Sequence, residues 1–153
     1  MLLLLNHNYF LTFPPFFLAH STDSLVKVDC KTENHFQYGQ NSILKCVIKP
    51  TKEATDAMIT VVAWKKEGKQ LVVFRDNLQT VKDPHFRFSV QNLNGRSRDV
   101  SLIVRNTQIN DQGVYECMVM TDSGEPVTVK INLTVTGEES FTQWPFWCYK
   151  WGI

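Results

Sequence analysis

Apolar residues alternate along the middle of the chain. Leu44, Cys46 and Ile48 share one parity, as do Val62 and Trp64. Phe86, Phe88 and Val90 follow, then Val100, Leu102 and Val104, then Tyr115, Cys117 and Val119. The longest run is Val127, Val129, Ile131, Leu133 and Val135. A period of two puts every second side chain on one face of a strand. Turn residues separate the runs: Glu67-Gly68, Asp83-Pro84, Asn94-Gly95 and Asp122-Ser123-Gly124. The pattern predicts an all-β sandwich of short strands, with no helix of ordinary length in the core and no internal repeat.

The ends differ from this middle. Residues 1–22 carry no Asp, Glu, Lys or Arg, and the first charge is Asp23. The Leu- and Phe-rich segment is similar to a secretory signal peptide, with Ala19 and Ser21 as the small residues before a cleavage point near Thr22. It has no basic residue after Met1, and Asn6-His7-Asn8 and Pro14-Pro15 interrupt it, so a buried N-terminal segment of the domain is the alternative. The other end, residues 137–153, holds three of the four Trp residues: Trp144, Trp147 and Trp151. Phe141, Phe146, Cys148 and Tyr149 join them. Such a tail packs back on the domain, forms an exposed sticky patch, or replaces a longer C-terminus. The expected organisation is a leader over 1–21, one domain over 22–136 and an aromatic tail over 137–153.

Composition narrows the function classes. A chain of 153 residues suits one domain, and 43% hydrophobic residues suffice for a core. Sixteen basic against fifteen acidic residues give a net charge of +1, hence no global footprint for nucleic acid. The longest apolar runs are too short to span a bilayer as a helix. Outside the leader only His35 and His85 remain among the histidines. There is no metalloprotease, nucleophile-elbow or P-loop motif and no zinc-type cysteine spacing. An enzyme, a cofactor, a metal and a small-molecule substrate are therefore not expected.

One constellation is specific. Asp111-Gln112-Gly113-Val114-Tyr115-Glu116-Cys117 has the spacing D-x-G-x-Y-x-C, and Trp64 lies between Cys46 and Cys117. Tyr115 is placed to return its hydroxyl to nearby main chain, and Gly113 permits the bend that delivers it. With these residues the sequence resembles the immunoglobulin superfamily, V-set, over about residues 25–136. The resemblance implies an inter-sheet disulfide between Cys46 and Cys117, with the indole of Trp64 packed against it and Tyr115 as a tyrosine corner. It also implies a salt bridge between Arg87 and Asp111, and room for the extra C′ and C″ strands. Residues 122–130, DSGEPVTVK, lack the two-glycine bulge of antigen-receptor variable domains. Cys30 and Cys148 are left over. They pair with each other, stay free, or join two chains.

Function follows from the resemblance. It implies an extracellular recognition module, secreted or at the plasma membrane in a longer form. Such modules bind another cell-surface protein, often of the same superfamily, through the GFCC′ face. Costimulatory and butyrophilin-like immune ligands are the leading comparison. The alternatives are an adhesion or channel-associated V domain, like myelin protein zero or the sodium-channel beta subunits, and a soluble decoy. Parity puts Asn132, in the glycosylation triplet Asn132-Leu133-Thr134, on the outward side of its strand. The same parity puts Val61, Ala63, Met118 and Met120 outward on neighbouring strands, as an apolar, Met-bearing partner surface. On the next strand, either Leu71 and Val73 or Val72 and Phe74 are exposed.

Overall fold

The computed structural model describes residues 26–137 except 53, 54 and 123. The proposed leader, Cys148 and the aromatic tail lie outside the described residues. The longest alternating run forms the longest strand, β11 (Val127–Thr136), which pairs antiparallel with β10 (Gly113–Thr121). β10 also pairs with β5 (Ile59–Lys66), β5 with β6 (Lys69–Arg75), and β6 with β7 (Leu78–Val81), all antiparallel. β2 (Glu33–Gln37) adds to β11 in parallel. The result is a six-stranded front sheet in the order β2-β11-β10-β5-β6-β7.

Turn chemistry fixes the registers on this sheet. Glu67 and Gly68 both have positive φ, 50° and 76°, and join β5 to β6 as a two-residue hairpin loop. Asp76 and Asn77, at 52° and 61°, do the same between β6 and β7. Positive φ at both positions matches the right-handed twist of the flanking strands.

The back layer is built from β1 (Val26–Cys30), β3 (Ser42–Leu44), β4 (Cys46–Pro50), β8 (Phe86–Phe88) and β9 (Leu102–Val104). β1 pairs with β4, while β3, β9 and β8 pair in that order. β3 and β4 are one stretch of chain interrupted at Lys45. The ladder continues across the interruption, because Val100 N–H donates to Cys46 O (3.0 Å) and Ile48 N–H to Arg98 O (2.8 Å). Cys46 N–H turns to the Ser101 hydroxyl instead (3.0 Å). A side chain thus satisfies the amide that the break leaves over.

Side chains from both layers meet in one core. Trp64, Tyr115, Phe74 and Leu44 are its largest fully buried members. The Trp64 indole N–H donates to Val100 O across the layers (2.8 Å). Tyr115 sends its hydroxyl to Asp111 O (2.8 Å), at the end of a short 3-10 turn, Ile109–Asp111. Gly113 between them has φ 131°, a value that L residues rarely adopt. On β6, Val72 and Phe74 face the core and are fully buried. Leu71 is buried with them, and Val73 is the half-exposed residue facing outward.

Two expected pairings are corrected. Cys46 is bonded to Cys30, not to Cys117. The two sit directly opposite each other on β1 and β4, with Cα atoms 4.1 Å apart. Parity placed both Cys46 and Cys117 inward, but Cys30 follows the inward parity of Val26 and Val28 and stands next to Cys46 in its own layer. Cys117 is a free, fully buried thiol, and burial pushes it up to about 12. It stays protonated and unreactive at neutral pH.

The second correction concerns Asp111. Its carboxylate meets His85 Nε2 at 2.8 Å, not Arg87. The amide of Gln108 donates to the same oxygen (2.7 Å). On β8 the inward positions are Phe86 and Phe88, so Arg87 between them projects to the outer side, opposite Ile103. Its Nε is buried with no hydrogen-bond partner among the described residues.

Candidate partner-binding face

The outer face of the front sheet can be read row by row, since directly opposed residues share a face. Met120, Val61, Arg75 and Leu78 form the first row, across β10, β5, β6 and β7. Thr128, Met118, Ala63, Val73 and Thr80 form the second. Lys130, Glu116, Lys65 and Gln70 form the third. Asn132 and Val114 form the last.

The face is therefore graded. Two rows carry the apolar residues, with Arg75 the one charge among them, a charged row follows, and the glycosylation triplet lies beyond it. In the charged row Lys130 reaches Glu116 at 3.8 Å, an exposed pair of small energetic weight.

All four residues expected to form the partner surface lie on this face. Their exposure differs from the expectation. Met118 and Met120 are half-exposed, but Val61 and Ala63 are only 4% and 2% exposed. Both are buried yet stand outside the core cluster. They form the floor of the patch rather than its contact surface. The contact surface also includes Val73, from one of the two alternatives left open for that strand, and Leu78, which sequence reasoning missed; Leu78 is 71% exposed. The missing signal was Asp76-Asn77. Read as a two-residue hairpin turn, it sets Leu78 opposite Arg75 and hence outward.

Asn132 is half-exposed on β11. Its side-chain amide donates one hydrogen to Glu33 Oε2 at 3.0 Å. The amide group carries two hydrogens, so one remains for a sugar linkage. No group of residues able to hold a metal ion occurs among the described residues, and no described helix is long and apolar enough to cross a membrane.

The family model for the immunoglobulin V-set domain matches residues 31–136. The chain belongs to the immunoglobulin V-set family. Among curated V-set relatives, it is 27% identical to programmed cell death 1 ligand 1 of Mus musculus, over 63% of this chain and 35% of that protein. The chain thus spans about a third of that relative's length. Solved V-set-like structures share the fold. Murine CRIg matches with a TM-score of 0.57 at 15% identity, covering 73% of this chain and 98% of the other. Dpr1 IG1, in its complex with DIP-eta IG1, gives 0.56 at 19% identity, covering 74% and 99%. Tim-1 gives 0.55 at 22% identity, covering 72% and 96%.

Proposed function

We propose that this V-set domain is a non-enzymatic extracellular recognition module. It engages an immunoglobulin-type domain of another cell-surface protein through the outer face of the front sheet, in the regulation of immune-cell signalling. One observation carries the reading: half-exposed Met118, Met120 and Val73 and exposed Leu78 lie on one face, on three strands around the buried apolar floor of Val61 and Ala63 on β5, with Arg75 the one charged residue among them. A clustered apolar surface marks a partner site more often than scattered surface residues do, and methionine adapts its shape to a partner.

The relatives support it by their names. One is called a ligand, and one fold neighbour is an immunoglobulin domain bound to another such domain. Residues 1–21 act as the secretory leader in this proposal, and Asn132 carries a glycan. The charged row separates that glycan from the apolar rows, so sugar and partner occupy different ends of the face.

The test is a binding screen of the secreted protein against cell-surface ectodomains, with Met118→Glu and Leu78→Asp beside the wild type. The expected result is a partner bound by the wild type and lost by both variants. A partner held equally by all three overturns the assignment of the face.

A further inference from the structure

The opposite outer face carries a different chemistry. On β1 and β4 the inward positions are Val26, Val28, Cys46 and Ile48, so Lys27, Asp29, Val47 and Lys49 face out. Lys27 stands directly opposite Lys49. Lys31 N–H donates to Lys45 O (3.1 Å), which brings the next two lysines to one level. All four lysines are exposed. They form two parallel rows, each about 13 Å long at the ordinary strand rise. A depression of about 240 Å³ lies between them, lined by Asp29, Lys31, Lys45, Val47 and Lys49.

Like charges set opposite each other on a sheet cost stability. Compensation within the domain is incomplete. Asp29 pairs with Lys49, which holds its carboxyl below the usual range. Asp99, across from Val47, accepts from the Ser101 hydroxyl and amide and also feels the charge of Lys45, so two carboxylates stand against four lysines. A chain of net charge +1 thus concentrates four lysines along two neighbouring strands and the residues that adjoin them.

We propose that the outer face of β1 and β4 binds a sulfated polysaccharide of the cell surface or matrix. The inference rests on the extracellular placement in the proposed function but not on its partner face. Charge complementarity selects an anion, and the residue types select its class. A protein partner calls for aromatic or Arg anchors, and interfaces are depleted in lysine; this face has four lysines and no aromatic. Without aromatic platforms, single-stranded nucleic acid has nothing to stack on. The anionic lipid surface lies on the cytoplasmic side of a membrane. Lysine is a point charge on a flexible stem, with no fork that demands one geometry. It suits a linear chain of repeating sulfates, and an open double row admits such a chain lengthwise.

The experiment measures the full chain on immobilised heparin, eluted by salt, with desulfated heparin, phosphatidylserine vesicles and single-stranded DNA as comparison probes. The wild type is expected to bind heparin and none of the others. Lys31→Glu with Lys45→Glu should weaken binding by about tenfold or more, because each lost contact also removes about one counterion from the salt dependence. Asp29→Asn should tighten it, since it removes the one carboxylate within the rows. Met118→Glu should leave it unchanged, which separates this site from the partner face. These substitutions are on exposed or outward positions, and a thermal melt shows that the variants fold. Heparin binding unaffected by the double lysine change overturns the proposal, as does equal binding to desulfated heparin, vesicles or DNA.

Discussion

The two outer faces of this sandwich are made by the same pleat and differ in almost everything else. The front face has two mostly apolar rows on a buried floor, with most of its charges gathered in a third row and Arg75 as the exception. The back face, on β1 and β4, has one half-buried apolar residue, Val47, among four lysines and one aspartate. Inside, both layers obey one constraint: inward residues are mostly apolar and closely packed, and the few buried polar ones, such as Ser42 and Ser101, are hydrogen-bonded. Outward residues are free of that constraint, so their chemistry reports what the domain meets. The core holds the faces apart, and damage to the core should abolish both functions together.

The largest expected effect is therefore at Trp64. Trp64→Ala removes the largest side chain of the core and leaves Val100 O without its donor. A loss of about 3–5 kcal/mol is expected, measured by urea unfolding, a large share of the roughly 5–15 kcal/mol that holds an ordinary domain folded.

Next is the disulfide. Cys30→Ala opens a bridge of sequence separation 16, for which the loop-closure account gives about 3 kcal/mol. Cys117→Ala removes only a thiol and should cost about 1 kcal/mol. The two unfolding curves, read with peptide mapping under non-reducing conditions, check the pairing. A linked Cys30–Cys46 peptide and a smaller loss at Cys117 are expected; the reverse order contradicts it.

Asp111 supplies a smaller effect. His85→Ala leaves the Asp111 carboxylate with the backbone amide of Gln108 as donor, at a cost of about 1–2 kcal/mol. Arg87→Gln, half-buried on the outer side and with no partner for its Nε among the described residues, should cost less, about 1 kcal/mol or below. Equal losses would mean that Arg87 also serves Asp111.

The smallest effect is acid sensitivity in the back layer. Burial raises the Asp99 carboxyl, but the hydrogen bonds from Ser101 and the charge of Lys45 outweigh it, and the net shift is downward. Its contribution to stability is complete above the unfolded value, about 3.9, and is lost as pH falls through the lower folded value. Asp99→Asn should flatten the stability profile in that window, as measured by thermal melts from neutral to acid pH.

Much of the fold was legible in the chain. Alternation from Tyr115 to Val119 and from Val127 to Val135 located the two longest strands, because a sheet with one buried face leaves a period-two record. The D-x-G-x-Y-x-C spacing marked the family. The cysteine pairing was not legible, since parity tells which way a side chain points but not which inward neighbour is nearest. Cys30 and Cys117 both point in, and only the register of β1 against β4 brings one of them opposite Cys46. Arg87 was misassigned because its partner depends on the parity of a three-residue strand, where Phe86 and Phe88 take the interior. On the candidate face, parity placed Val61 and Ala63 on the correct side. Their burial depends on neighbours from other strands, which a linear pattern does not record. Leu78 was missed because its parity depends on a hairpin turn with no glycine.

The central claim is that the apolar rows of the front face carry recognition. Its most direct test is one substitution with two readouts. Met118→Glu adds a charge to a half-exposed position and should change stability by no more than about 0.5 kcal/mol. In the ectodomain screen it should abolish binding to whatever partner the wild type captures, while its thermal melt overlays that of the wild type. A Met118→Glu protein that folds normally and binds that partner with undiminished affinity contradicts the account.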